Sequence, residues 1–122
     1  MANTFRMTNE ANVSTTIENI YTVPSSTTTI ILGIMLSNTS TASVKGSVQL
    51  VSTSATGSGV SNSGASNANE TTYLIKDAPI SSASSLEIMA GNKIVMQTTD
   101  ILKAQSDTAS SLDIIISYME IT

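Results

Sequence analysis

The chain has 122 residues, enough for one domain burying roughly two-thirds of the surface its unfolded form exposes. It has no cysteine and no histidine, which excludes disulfides, thiolate metal sites, the usual neutral-pH general base and the usual activator of a serine nucleophile. Charged residues make up 11% of it, against about 25% in an ordinary soluble domain, and the net charge is −4. The five cations, Arg6, Lys45, Lys76, Lys93 and Lys103, are scattered, so the clustered basic footprint of a nucleic-acid binder is absent.

Residues 1–12 show no regular period and lack the basic then apolar sequence of a signal peptide. They carry Phe5 and Met7, which suits an N-terminal arm that docks on a neighbour, with residues 13–122 forming the domain proper. From Val13 the pattern turns to β: Val13, Thr15, Ile17, Asn19, Tyr21 and Val23 alternate with polar residues and Ile20, the period of a half-buried strand. Pro24-Ser25-Ser26 breaks it as a turn. Residues 27–36 follow as a β-branched run, apolar on both faces from Ile30, the mark of a central strand. At seven residues with Gly33 inside, the run 30–36 is far short of the roughly 20 a membrane helix needs, so no membrane association is expected. After a polar turn at 38–43, Val44, Gly46, Val48 and Leu50 face one way and Lys45, Ser47 and Gln49 the other.

Residues 52–69 are almost wholly Ser, Gly, Ala, Thr and Asn, a long loop inserted at one end of the scaffold. A short strand is expected at 71–76, ended by Asp77-Ala78-Pro79-Ile80. Residues 86–90 and 93–97 flank Gly91-Asn92 and predict a tight hairpin. Residues 100–106 read as a further strand, the helical alternative at 99–105 being too short for more than one turn. In residues 112–121, Leu112, Ile114, Ile116 and Tyr118 share one face and Ile115, Met119 and Ile121 the other. About seven to eight short strands predict an all-β, single-domain antiparallel β-sandwich or jelly roll.

Sites for chemistry are scarce. Asp77, Asp100, Asp107 and Asp113 lack the spacing of a calcium loop and read as turn caps. Glu10, Glu18, Glu70, Glu87 and Glu120 are dispersed, and with no Trp a sugar-cleaving site lacks its aromatic platform. Gly57-Ser58-Gly59 continues into more low-complexity sequence instead of a Lys-bearing helix, so it is no phosphate loop. Asn12-Val13-Ser14, Asn38-Thr39-Ser40 and Asn69-Glu70-Thr71 match glycan acceptors by chance in so Asn- and Ser-rich a chain. No catalytic, metal or cofactor-binding residues are therefore expected. The informative residues are apolar ones off the main alternation: Ile20, Ile31, Met35, Val51, Val95, Ile115, Met119 and Ile121. So small a domain cannot readily bury both faces of several strands alone, and a homo-oligomeric or lattice interface is expected. Phe5, Met7, Ile115, Met119 and Ile121 are its candidate contacts.

The phrases Ile20-Tyr21-Thr22-Val23-Pro24-Ser25-Ser26-Thr27-Thr28-Thr29, Tyr73-Leu74-Ile75-Lys76-Asp77-Ala78-Pro79-Ile80, Ser84-Ser85-Leu86-Glu87-Ile88 and Ser117-Tyr118-Met119-Glu120-Ile121-Thr122 resemble small β-rich virion structural proteins of tailed bacteriophages, especially aquatic phages and those of cyanobacteria. The resemblance spans roughly residues 17–122 and rests on strands and turns, not on catalytic motifs. It implies a compact β domain in many copies on a particle, with no enzymatic residues to carry over, and the expected function is a capsid decoration (cement) protein stabilising the shell by docking on major capsid subunits. The alternatives are a receptor- or glycan-binding module of a head or tail fibre, or a tail or neck ring component.

Overall fold

The computed structural model describes residues 2–53 and 70–122. They form nine strands: β1 (Asn3–Glu10), β2 (Glu18–Thr22), β3 (Thr28–Asn38), β4 (Val44–Ser52), β5 (Glu70–Ile80), β6 (Ser85–Glu87), β7 (Ile94–Met96), β8 (Ile101–Ser106) and β9 (Leu112–Ile121). All pairings are antiparallel, and the strands build two sheets. Sheet A runs β1-β9-β3-β6 with β7 also on β3, and sheet B runs β2-β8-β4-β5. The all-β sandwich expected from the alternating pattern is the observed fold. No helix among the described residues is long and apolar enough to cross a membrane.

The core lies between the sheets. Ile31, Ile34 and Leu36 of β3 and Ile114 and Ile116 of β9 meet Val48 of β4 and Leu102 of β8, all with no exposed surface. Period-2 alternation produces this directly in β9, where Leu112, Ile114, Ile116, Tyr118 and Glu120 are buried. In β3 alternation alone fails. A register shift between Ile31 and Gly33 inserts one extra residue, so Ile31 and Ile34 both point inward and Met35 turns out. Ile31, grouped by sequence with the outer residues, is for this reason a core residue. A similar shift at Asn19/Tyr21 in β2 packs Ile20 against the core.

Four local expectations are corrected. Residues 1–12 do not form a separate arm: Asn3–Glu10 is an edge strand paired with β9 from Asn3↔Ile121 to Glu10↔Ile114 without a break. The strand expected over 13–23 is regular only from Glu18, although Val13, Tyr21 and Val23 are buried as expected. β5 runs on through Asp77 and Pro79 to Ile80; as an edge strand it tolerates a proline, and Asp77 takes a positive φ of 51° at the irregularity opposite β4. Finally, Gly91-Asn92 does not join a hairpin. β6 and β7 both pair with β3, at Met35–Ser37 and Thr29–Ile31, so they are two pieces of one interrupted strand. Between them Ala90 (φ 51°) and Gly91 (φ 86°) form a turn closed by Asn92 N–H donating to Met89 O at 2.9 Å. Positive φ is indeed used there, one residue earlier than Gly91-Asn92 implied.

The Ser/Gly-rich stretch expected as a loop at 52–69 falls, from residue 54 on, outside the described residues. Its flanks are fixed. Ser52 pairs with Glu70 across β4 and β5, and Thr53 N–H donates to Asp100 Oδ1 at 3.0 Å.

Candidate functional site

Cross-strand partners share a face, so the register of sheet A builds its outer surface residue by residue. One row crosses four strands: Phe5 (β1), Met119 (β9), Ile30 (β3) and Val95 (β7). A second contains Met7, Ser117 and Gly33, and a third Asn9, Ile115, Met35 and Glu87. Ile121 lies beyond the first row, opposite Asn3 and Thr28. Phe5 is 73% exposed, Met7 and Val95 59%, Met35 and Ile115 38%. All five expected contact residues, Phe5, Met7, Ile115, Met119 and Ile121, thus belong to this one face, as do Met35 and Val95. Sequence reasoning missed Ile30, whose place depends on the bulge two residues later.

The face carries little charge: Asp113 stands towards one end, Glu87 sits opposite Met35 with its carboxylate reaching over Gly33, and Arg6, though on β1, points the other way. Its Nε donates to Glu120 Oε1 at 2.7 Å. Glu120 is buried on the inner side of β9 and accepts a second bond, at 2.7 Å, from the Tyr21 hydroxyl on β2, which also lies 2.8 Å from Thr29 Oγ1. The Tyr21 ring packs on Tyr118 with centroids 4.4 Å apart. Burial, opposed by the Thr29 hydrogen bond and aided by the Glu120 carboxylate, pushes the Tyr21 hydroxyl above the usual phenol range. This network joins the two sheets and holds β1, the strand that supplies Phe5 and Met7.

The outer surface of sheet B differs. Thr15, Lys45, Ser47, Asp77, Gln105, Ser106 and Asp107 line a shallow polar hollow, and the exposed Tyr73 carries Lys76 Nζ 5.2 Å from its ring centroid. The carboxylates are largely consumed by backbone caps: Asp100 receives Thr53 and Gln97 N–H, Asp107 receives Lys45 N–H and Asp113 receives Asn12 N–H. Glu10 and Glu18 do meet, where β1 approaches β2, and the hydrogen bond and like charge of Glu18 raise the Glu10 carboxyl above its ordinary value. Among the described residues no three His, Cys, Asp or Glu gather as a metal site. Asn38, a formal glycan acceptor, is buried. Its Nδ2 donates to the carbonyls of Ala42 (2.8 Å) and Ile80 (2.9 Å), and its Oδ1 accepts from Ser40.

No family model matches the chain, and no curated protein matches it. Among solved structures, one described as "Bacillus endospore appendages form a novel family of disulfide-linked pili" aligns over 99% of this chain and 87% of that one, at 16% identity and a TM-score of 0.49. At that distance nothing of the pilus's assembly transfers, and the present chain has no cysteine.

Proposed function

We propose that this chain is a virion structural protein, a capsid decoration protein that acts by docking and not by catalysis, with the outer face of sheet A laid against major capsid subunits. The observation that carries the reading is the charge-free row Phe5–Met119–Ile30–Val95, running across the sheet in register. Large apolar side chains exposed as one contiguous patch mark interaction surfaces. The resemblance to tailed-phage virion proteins gives the partner its class.

The patch sets the strength of docking. With side chains of about 200 Å² each, the exposed fractions of Phe5, Met7, Met35, Val95 and Ile115 amount to on the order of 500 Å². An interface of about 500 Å² a side is smaller than the roughly 800 Å² per partner of a standard stable complex. A single copy therefore binds weakly. Useful shell stabilisation arises because many copies bind the assembled lattice and not free subunits.

The test is co-sedimentation of the purified chain with shells lacking it. Wild type is expected to pellet with the shells in a fixed ratio to the major capsid protein, and a Val95→Lys/Ile115→Lys variant to stay in the supernatant with its thermal midpoint nearly unchanged. Pelleting of the variant like wild type would show that another surface docks. Failure of wild type to pellet at all, together with its absence from purified virions by mass spectrometry, would remove the capsid assignment. The polar hollow of sheet B and the Tyr73–Lys76 pair favour one second reading, a glycan- or receptor-binding module, for which a glycan array is the direct assay.

A further inference from the structure

β1 is an edge strand, and its hydrogen-bond phase can be read from one pair. Ala2 and Thr122 exchange both backbone bonds, at 3.1 and 3.0 Å, so they are a hydrogen-bonded pair of the β1–β9 ladder. The register then runs unbroken to Glu10↔Ile114. In an antiparallel ladder such pairs alternate with pairs that exchange no bonds. Thr4, Arg6, Thr8 and Glu10 therefore bond to β9, while Asn3, Phe5, Met7 and Asn9 turn their N–H and C=O groups to the far side. Among the described residues no strand pairs with β1 there; β2 comes near β1 but its ladder is with β8. An eight-residue strand without a bulge or proline, with its outward side chains apolar at the centre, is the kind of edge that pairs with another chain.

The identity of that chain is written in the strand itself. Residues 3–9 read Asn-Thr-Phe-Arg-Met-Thr-Asn, a palindrome about Arg6 but for the exchange of Phe5 and Met7. We propose that β1 pairs antiparallel with β1 of a second copy about a two-fold axis at Arg6, giving a homodimer with sheet A continuous through both subunits. A two-fold interface must be self-complementary, residue i meeting j and j meeting i, and an antiparallel pairing of a palindromic strand meets that condition at every position. Asn3 lies opposite Asn9 of the second copy, Thr4 opposite Thr8, and Phe5 opposite Met7, the last a sulfur–aromatic pair. The phase fits as well: the far-side groups of Asn3, Phe5, Met7 and Asn9 meet their like, so each one finds a partner.

The one like-charge juxtaposition, Arg6 against Arg6, is neutralised beforehand because each guanidinium is held by its own Glu120 at 2.7 Å. The dimer also places the row Val95–Ile30–Met119–Phe5 of one copy beside Met7 of the other, so two apolar faces merge into one. The inference does not rest on the capsid reading, and its test uses the chain alone.

Sedimentation over a dilution series is expected to show a reversible dimer of the 12.7 kDa chain. Met7→Pro removes an N–H that points away from β9, a position where an edge strand accepts proline, so the dimer is expected to be lost with the fold kept. A second measurement does not depend on that variant folding. Thr4 and Thr8 of the other copy would form a pair without hydrogen bonds, Cα atoms about 4.5 Å apart and within disulfide reach. Thr4→Cys and Thr8→Cys, mixed and oxidised, are expected to give a covalent dimer that neither gives alone; the native chain has no cysteine to confuse the result. A chain that stays monomeric throughout, a dimer that survives in folded Met7→Pro, or a mixture that links no better than its components would each overturn the proposal. None of these outcomes bears on whether the chain pellets with shells.

Discussion

Tyr21 reaches from sheet B to a buried carboxylate on sheet A, and a single oxygen atom makes that link. Tyr21→Phe keeps the ring on Tyr118 but leaves Glu120 Oε2 without its donor, at a cost of about 1–3 kcal/mol by urea denaturation at neutral pH. The hydroxyl also sets a pH dependence. Its pKa in the fold is raised above the unfolded value, so the protonated form is favoured by folding. That stabilisation is complete below about pH 10 and is lost as pH rises further. Wild type is therefore expected to lose stability above pH 10 more steeply than Tyr21→Phe; parallel alkaline limbs would show that other groups control the loss. Gly46 is constrained by space instead. A Cβ there would meet Leu36 Cδ1 at 3.0 Å and Leu112 Cδ2 at 3.1 Å. Gly46→Ala is expected to lose about 1–3 kcal/mol through overpacking, read by chemical denaturation. At this scale the sequence was legible where a strand is regular: the outward set Ile115, Met119 and Ile121 follows from alternation in β9. It was not read at Ile31, because Gly33, the one sign of a bulge in the run, does not say which residue is the extra one.

At the scale of elements, β1 changes what a truncation means. If residues 1–12 were an arm, their removal would spare the domain. Because β1 covers the edge of β9, and Arg6 helps satisfy Glu120, deletion of 1–12 is expected to lower the thermal midpoint and promote aggregation through the bared β9 edge. An unchanged midpoint in calorimetry would mean that β1 adds nothing to the fold. The segment misled sequence reasoning because Asn3, Phe5, Met7 and Asn9 alternate with Thr4, Arg6, Thr8 and Glu10, a strand pattern with no face buried enough to look like one. The broken β6–β7 strand misled it for the opposite reason. Gly91-Asn92 carries good hairpin chemistry, but the turn makes an excursion and the chain returns to the same edge of β3. Local turn propensity specifies a reversal, while the partner of each strand is settled by long-range pairing.

For the whole molecule, the two outer surfaces differ in kind. Sheet A presents Phe5, Met7, Met35, Val95 and Ile115, and sheet B a hollow of hydroxyls, amides and charges. Strands apolar on both faces conveyed that some apolar residues lie outside one core, but only the register of four strands gathers them on one side. Ser52 and Glu70 are already paired where the Ser/Gly-rich stretch leaves and re-enters the sandwich. Replacing residues 54–69 by a two-residue turn is therefore expected to leave the fold intact, with a thermal midpoint equal to or above wild type; a collapse of cooperative unfolding would mean that the stretch carries part of the core.

The same closed mouth between β4 and β5 has a practical corollary. Because both ends of the stretch are held by the ladder, the site behaves as a splice port: a foreign peptide or a small domain with adjacent termini can be inserted there without separating paired strands. The port belongs to the sheet that turns away from the apolar face. If the apolar face docks as proposed, a passenger inserted there is attached to the sheet opposite the docked one.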